Sequence, residues 1–515
     1  MPAVMKTPGV YIVEQSAFPS SVVEVATAVP AFIGYTERAD NMGRSLLNQP
    51  QLITSLSEFH TYFGAGPKRP AFGLTAAAPS GAASPASLDR RFQVLGQECT
   101  LTRTDTAYLL YSSMQLFFQN GGGRCYVVSV GTYREQGIEA KALQDGIDLL
   151  TREQEPTMVV IPDAVRLASA DCIAVQQAML AHCGEKMKSR FAVLDVHDGY
   201  KGRNDPSGDV IGTFRDSLGV NYLDFSSAYY PWLNTTIVGA SELSFANLTA
   251  EARTTLQTLL RTELGLPDDR PADGPPRPQQ LWDVVSEVGQ FAEDGDPGDL
   301  AKKLTAVSPS LYRTVLNEMR AALNLLPPAA AMAGVFTAVD NSYGVWKAPA
   351  NVSLSSVVST AVNITNEDQE DLNVTVQGKS INAIRPFIGE GVLVWGARTL
   401  DGNSLDWRYI QVRRTMIMLE ESIRLAAKRY VFENNNANTW VTIKSTIKNF
   451  LTGIWKRGGL AGGSPEDAFA VFAGLGETMT PEDILEGVLR VTVLVAITRP
   501  AEFIEITFQQ QMQRS

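Results

Sequence analysis

Between residues 105 and 230, short apolar segments alternate with amphipathic ones, and this alternation constrains the fold more than any other feature. The apolar segments CYVVSV, TMVVIP and FAVLDV each follow residues at helical spacing, such as Leu110, Met114 and Phe117 before the first of them. Short apolar strands separated by helices are typical of a mainly parallel sheet with helices packed on it. The sequence therefore predicts an α/β domain here, and VPAFIGYTE (29–37) is predicted as a further buried strand.

Both ends of the chain carry β-branched segments, namely TPGVYIVEQ (7–15), SSVVEVAT (20–27) and PAEFIEITF (500–508). In the last segment, Ile504, Ile506 and Phe508 alternate with Phe503, Glu505 and Thr507, which predicts a strand with two different faces. Chain ends usually fray, and an unpaired apolar strand is an aggregation hazard. We therefore interpret both ends as arms that some other sheet must receive.

Two stretches are predicted to lie outside the sheet. Residues 64–88 are rich in Gly, Pro, Ala and Ser and are predicted to form a loop. Residues 266–299 cluster Pro, Asp and Gly, so we expect a surface excursion that projects outward and supplies no core.

The C-terminal third is predicted to contain a strand at 391–400 and two helices near 408–432 and 438–456. The second helix places Ile443, Ile447 and Ile454 on one face and Lys444, Lys448 and Lys456 on another. Residues 408–457 hold ten Lys and Arg against three Glu, in a chain of net charge -11. This asymmetry favours an acidic partner surface, although such a stripe is also compatible with a solvated helix face.

Composition excludes several classes of protein. With 19% charged and 44% hydrophobic residues and a net charge of -11, the chain resembles an ordinary globular protein and is a poor nucleic-acid binder. Its four cysteines form no CxxC pair and only three histidines occur, so neither a disulfide framework nor a metal site is expected. Prolines interrupt the N-terminus and the apolar run at 325–339, so we expect no secretion signal and no membrane span.

The strongest candidate for catalysis is LDVHDGY (194–200), where Asp195, His197 and Asp198 follow a predicted strand. Carboxyl ends of parallel strands are where α/β enzymes place catalytic groups, but capping and turn residues occur there too. The glycines of NGGGRC (120–125) precede a strand, whereas a phosphate loop must follow one. We therefore expect no catalytic residue, no cofactor and no enzymatic activity.

Several motifs, in order and spacing, resemble the contractile tail sheath proteins of phages, R-type pyocins and extracellular contractile injection systems. They are TPGVYIVE, GVWKAPAN (344–351), RPFIGEGVLVWGARTL (385–400), RRTMIMLEESI (413–423), FENNNANTW (432–440), GGLAGGSPEDAFAV (458–471), GETMTPEDILEGVL (476–489) and RPAEFIEITFQQ (499–510). The middle of the chain resembles this family only in its architecture.

The resemblance implies a helical sheath that surrounds an inner tube, assembles extended on a baseplate and contracts to drive the tube through a target envelope. Subunits of this family exchange terminal strands with neighbours, so the implied exchange residues are Val10, Tyr11, Ile12, Val13, Val23, Val25, Phe503, Ile504, Ile506 and Phe508. The implied candidates for inner-tube contact are Arg424, Lys428, Arg429, Lys444, Lys448, Lys456 and Arg457.

The implied partners are further copies of the chain, the inner tube protein, baseplate and terminal cap proteins, and sheath paralogues, with no nucleic acid and no membrane insertion. Assembly is expected in the bacterial cytoplasm, followed by incorporation into a phage tail or tail-like particle. The expected architecture has an N-terminal arm (1–28), a discontinuous sheath core domain (29–100 and 340–498), an inserted outer α/β domain (101–339) and a C-terminal arm (499–515).

Two alternatives remain open from the sequence. The first is an α/β enzyme with a C-terminal oligomerisation domain, which would keep a closed pocket and form a discrete oligomer. The second is a baseplate or tail-terminator relative, which would lack the inserted domain and form closed rings.

Overall fold

The computed structural model describes residues 22–76, 88–135, 137–271, 276–292 and 295–505. In chain order, the strands are β1 (Pro30–Thr36), β2 (Asp40–Asn41), β3 (Arg44–Ser45), β4 (Gln51–Ile53), β5 (Phe72–Ala76), β6 (Arg90–Val94), β7 (Gln97–Arg103), β8 (Cys125–Thr132), β9 (Met158–Val160), β10 (Phe191–Asp195), β11 (Ser226–Tyr230), β12 (Leu233–Thr235), β13 (Leu325–Leu326), β14 (Val352–Ser353), β15 (Val357–Thr360), β16 (Asn382–Phe387), β17 (Gly391–Val394), β18 (Phe469–Phe472) and β19 (Thr492–Val495).

The helices are α1 (Leu56–Phe63), α2 (Leu110–Gln119), α3 (Ala140–Leu149), α4 (Ser169–Ala181), α5 (Val210–Ser217), α6 (Ala250–Leu264), α7 (Pro276–Gly289), α8 (Gly298–Val307), α9 (Pro309–Leu323), α10 (Ala329–Tyr343), α11 (Asn366–Asn373), α12 (Ile410–Ala427), α13 (Ala437–Lys456), α14 (Pro465–Ala468) and α15 (Pro481–Leu485). Strands and helices alternate through the middle of the chain, so the predicted mixed α/β class is confirmed.

The chain forms two compact units that differ from the predicted domains in their boundaries. Among the described residues, the larger unit lies within 26–414, and the smaller one comprises 22–25 together with 415–505. The divisions therefore fall at 25/26 and 414/415, and helix α12 contains the second of them. The discontinuous core domain and the inserted domain remain a proposal.

The larger unit is built on a nine-stranded sheet with the order β14-β17-β16-β11-β10-β9-β1-β8-β4. The six strands from β16 to β8 are parallel, and antiparallel pairs occur only towards the edges of the sheet. Every residue of β1 is buried, as a strand covered on both faces requires. The predicted mainly parallel sheet is thus confirmed.

Helices cover both faces of this sheet. Successive residues of a strand point to opposite faces, and Phe32 of β1 contacts Phe117 of α2 with ring centroids 4.9 Å apart. The neighbouring Ile33 faces α3, where a Cβ on Gly146 would lie 2.6 Å from its Cγ2. Glycine is therefore needed for α3 to pack this closely, and the result is a three-layer α/β/α core.

A second core in the larger unit corrects one expectation from the sequence. The three-stranded sheet β5-β7-β6 packs with helices α6 to α9, and Val285, Val288 and Leu300 are buried within this cluster. All three residues belong to or border the segment that was expected to supply no core. That expectation is wrong, because apolar residues at helical spacing within α7 bury one face of the helix despite the Pro- and Asp-rich flanks. Strand β5 likewise falls within the predicted loop at 64–88.

In the smaller unit, α13 and the antiparallel pair β18/β19 are the main elements. Helix α13 begins where the Asn436 side chain accepts a hydrogen bond from the Thr439 backbone N–H, a typical helix cap. Its buried face comprises Ile443, Thr446, Ile447, Leu451 and Ile454, so the predicted amphipathic helix is confirmed. Across the described ranges, no helix has the length and apolar character needed to cross a membrane.

Candidate interaction surface

The smaller unit presents a two-stranded sheet, which is an incomplete unit of β-structure. Strand β18 pairs with β19 in antiparallel register, with Phe469 opposite Val495 and Phe472 opposite Thr492. Two-stranded sheets are only marginally stable by themselves, because most of their main-chain and side-chain surface stays in water. Two of their apolar side chains, Phe472 and Leu494, are exposed. This sheet can therefore gain further strands.

The hydrogen-bond pattern identifies which groups face the outer edge of β19. The Ala496 N–H donates to the Ala468 carbonyl at 2.8 Å, immediately beyond the strand pair. Because main-chain groups of successive residues in an antiparallel strand point to alternate sides, Val493 and Val495 direct their N–H and C=O groups away from β18. An edge of this kind is a template for strand addition.

The basic residues of this unit fall into two sets. Lys444 forms a salt bridge with Glu477 at 3.0 Å, and Arg424 pairs with Glu421 of its own helix. The hydrogen bond from Lys444 lowers the pKa of the Glu477 carboxyl, as expected for an ion pair. Arg457 pairs with Glu24, which precedes the first strand.

The second set consists of three lysines. Lys428, Lys448 and Lys456 are exposed and form no salt bridge with any described carboxylate. Arg429 is also exposed, and its Nε donates to the Ala426 carbonyl. The seven candidates for tube contact therefore lie in one unit, but only some of them carry a charge available to a partner.

The structure describes only some of the predicted strand-exchange residues. Val10, Tyr11, Ile12, Val13, Ile506 and Phe508 lie outside the described residues. Val23, Phe503 and Ile504 lie outside any helix or strand and are at least three-quarters exposed. Val25 is half-buried, and its N–H donates to the Ser422 hydroxyl at 3.1 Å. Strand exchange by these residues stays a prediction.

The candidate catalytic residues make contacts that serve the fold. Asp195 is buried, and its carboxylate accepts a hydrogen bond at 2.7 Å from the Ala329 N–H, the first residue of α10. Burial raises the pKa of Asp195 to about 7. His197 Nε2 lies 3.0 Å from the Leu167 carbonyl, and Asp198 pairs with Lys201. Among the residues that the structure describes, no group of three His, Cys, Asp or Glu could hold a metal ion.

Sequence reasoning missed the roles of two arginines within the predicted basic segment. Arg414 forms a buried bidentate salt bridge with Asp340, at 2.9 and 2.6 Å, and Arg413 lies over the Phe225 ring at 3.7 Å. Neither side chain is available to an external partner. The only local signal is the apolar context of the motif RRTMIML, which indicates that part of this helix is buried.

Residues 403–511 match the family described as the phage tail sheath C-terminal domain. This range contains the incomplete sheet β18/β19, helix α13 and all the candidates for tube contact. Part of the chain is 26% identical, over 135 residues, to the tail sheath protein of Enterobacteria phage T4. Another match is 29% identical, over 138 residues, to the tail sheath protein of Vibrio phage KVP40. Each match covers 26% of this chain and spans only 20% of the relative's length.

Similarity to solved structures extends over nearly the whole chain. A chain of the anti-feeding prophage baseplate is 27% identical with a TM-score of 0.59, and the match covers 99% of this chain and 100% of that chain. A chain of the PVC sheath complex, an extracellular contractile injection system in the contracted state, is 26% identical with a TM-score of 0.59. That match covers 99% of this chain and 98% of the other.

Proposed function

Because this chain belongs to the contractile tail sheath proteins, we propose that it is a structural subunit that polymerises helically around an inner tube. In this proposal the polymer contracts and drives the tube through a target envelope. The observation that carries the proposal is the incomplete sheet β18/β19 within the matched C-terminal domain, whose outer edge pairs with no further strand among the residues that the structure describes.

The subunits are joined when terminal arms of one copy add strands to the β18/β19 sheet of another. Strand addition supplies directional main-chain hydrogen bonds, and burial of exposed side chains such as Leu494 fixes the register. Donor arm and acceptor edge are different surfaces, so the interface is heterologous. Such an interface propagates as an open helix unless its rotation closes a ring.

Contraction requires two packings of the same subunits, with the arms retained as connections while the globular parts move. The energy then comes from the difference between the two packings. The contacts of Asp195, His197 and Asp198 serve the fold, which fits this non-enzymatic role. The larger unit contains most residues of the subunit, so it is the main globular part that moves in this proposal.

The inner tube is proposed to contact the basic residues of the smaller unit. Lys428, Lys448 and Lys456 are the favoured contacts because they are exposed and form no salt bridge with a described carboxylate. Each exposed pair is worth only about 0–1 kcal/mol, but repetition along a helical lattice adds many such contacts. Weak individual contacts can also break during contraction. A baseplate, a terminal cap and sheath paralogues complete the proposed set of partners.

A proline at the acceptor edge tests strand addition directly. Proline lacks the N–H that an incoming strand requires, and edge strands tolerate it where that N–H faces solvent. The Val493→Pro variant should therefore remain folded but form no long sheaths in electron micrographs. Val493→Thr, which keeps the N–H and the β-branched shape, is the matched control and should assemble normally.

Deletion of residues 1–27 tests the donor side of the same interface. The truncated protein should give soluble subunits that no longer polymerise. Ordered sheaths from both Val493→Pro and the truncation would refute strand exchange as the joining mechanism.

A further inference from the structure

The segment from Val22 to Val29, which we name the arm root, is held by side chains from distant parts of the chain although it precedes the first strand. At its C-terminal end, the Thr157 hydroxyl accepts a hydrogen bond from the Val29 N–H at 3.0 Å and donates to the Thr27 carbonyl at 2.7 Å. Arg414 also donates to the Thr27 carbonyl, at 2.9 Å. Two separate side chains thus fix one peptide group.

Arg414 is itself rigidly placed. Its guanidinium forms two hydrogen bonds with the Asp340 carboxylate and lies over the Phe336 ring at 4.8 Å from the centroid. Both charged side chains are almost completely buried, with exposed fractions of 4% and 2%. Charge-assisted bidentate pairs are the strongest hydrogen-bonded arrangements in proteins, so the contact to Thr27 rests on a fixed support on α10.

The N-terminal part of the arm root is held by the smaller unit. The Val25 N–H donates to the hydroxyl of Ser422, which is completely buried on α12. Glu24 forms a salt bridge with Arg457, at the C-terminal end of α13. Val22 is buried as well. Side-chain contacts therefore occur along the arm root in the absence of any regular secondary structure.

We infer that Arg414, Ser422 and Arg457 are positioning residues that anchor the arm root in its own subunit, so that within the N-terminal arm any strand exchange is left to residues before Val22 and does not involve Val23 or Val25. This inference rests on the proposed function, because an anchor matters only if the arm bears load. It also gives Arg457 a role different from the tube contact proposed on sequence grounds.

The anchor has a mechanical consequence. Tension on the arm of an assembled subunit would act first on the Glu24–Arg457 pair, then on the Val25–Ser422 hydrogen bond, and last on the Thr27 carbonyl held by Arg414. The first of these contacts is the most exposed, because the side chains of Arg457 and Glu24 are 51% and 33% exposed, whereas Ser422 and Arg414 are buried. The most exposed contact therefore opens first, while the buried pair of Arg414 with Asp340 protects the connection to the sheet of the larger unit.

Amide hydrogen exchange at Val25 in the free full-length subunit tests the anchor. Ser422→Ala removes the acceptor of the Val25 N–H and should speed its exchange about fivefold, the factor expected for loss of one ordinary hydrogen bond. Glu24→Gln and Arg457→Gln should each speed exchange about twofold to threefold. The matched control is Lys456→Gln, which removes an adjacent exposed charge and should leave the exchange rate unchanged.

A charge swap separates anchoring from tube contact. The double variant Glu24→Arg/Arg457→Glu should return the Val25 exchange rate to the wild-type value, and Glu24→Gln should impair sheath assembly as much as Arg457→Gln does. The inference is overturned if the swap does not restore protection. It is also overturned if Arg457→Gln weakens tube binding while Glu24→Gln has no effect.

The exchange measurement needs no polymer. If the protein forms no helical polymer, the proposed function fails, whereas the exchange rates still decide whether these residues hold the arm root.

Discussion

Replacing Asp195 with asparagine should make the protein less sensitive to pH and more stable under mildly alkaline conditions. Asp195 is buried, and the backbone N–H of Ala329 donates to its carboxylate. Burial raises the pKa of the folded protein's carboxyl to about 7, against an ordinary value of 3.8. The folded state therefore holds a proton that the unfolded state has released between about pH 4 and pH 7.

The direction in which pH changes the free energy of unfolding follows from the linkage between protonation and folding. In this window the folded state binds more protons than the unfolded state, so the free energy of unfolding falls as the pH rises. The pKa difference of about three corresponds to on the order of 4 kcal/mol, fully present below pH 4 and lost above pH 7. Asparagine is neutral at every pH, and its carbonyl can still accept the Ala329 hydrogen bond.

A second buried carboxylate provides an internal comparison. Asp163 accepts hydrogen bonds from the backbone N–H groups of Tyr35 and Leu109, which offset part of the effect of burial. Burial still raises the pKa of Asp163, but only to about 6. Asp163→Asn should therefore remove a smaller pH-dependent contribution than Asp195→Asn, on the order of 3 kcal/mol.

Urea-induced unfolding of the free subunit at pH 5 and pH 8 measures these effects. Asp195→Asn should reduce the difference in unfolding free energy between the two pH values, and Asp163→Asn should reduce it less. The control is Asp299→Asn, because that carboxylate is exposed and its loss should change neither value. A loss of more than 2 kcal/mol at pH 8 for Asp195→Asn, with an unchanged pH dependence, would refute the reasoning.

Three further predictions concern the buried ion pair, the lysines and the outer segment. Arg414→Met leaves Asp340 buried and unpaired, so it should lower the free energy of unfolding in urea by about 3–5 kcal/mol, and a loss below 1 kcal/mol would contradict the buried pairing. Lys448→Glu/Lys456→Glu should impair extended assembly on the tube while self-polymerisation persists, and normal extended particles in electron micrographs would argue against tube contact. An epitope inserted near Gly274 should bind antibody on intact particles, since the flanking residues are largely exposed, and inaccessibility would count against an outward position.

Much of the central sheet could be predicted from the sequence because its strands are buried on both faces. Segments such as PAFIGYT and FAVLD are then almost continuously apolar, and the helices between them keep a 3.6-residue period. These signals are local. They require no knowledge of which strands pair.

The missed features depend on partners that are distant in sequence. From the sequence alone, helix α7 is predicted to be part of a polar, Pro-rich excursion. Only the structure shows that Val285 and Val288 are buried in the second core. From the sequence alone, Arg414 resembles an exposed cation, because its partner Asp340 lies 74 residues away in the chain. Similarly, no local pattern indicates that Ser422 accepts a hydrogen bond from Val25. Burial of a polar residue is decided by the fold as a whole, so composition alone misplaces such residues.

The candidate interaction surface was predicted in part. The amphipathic helix α13 and its lysines follow from spacing, and the family resemblance directed attention to the C-terminal third. The pair β18/β19 was not recognised, because each strand has only four residues and 19 residues separate them.

Electron microscopy of the purified full-length protein tests the central claim most directly. The account predicts long hollow helical tubes, formed by this chain alone and lost in the Val493→Pro variant. A discrete oligomer with a closed outline, or closed rings that do not stack into helices, would contradict the assignment of this chain as a polymerising sheath subunit.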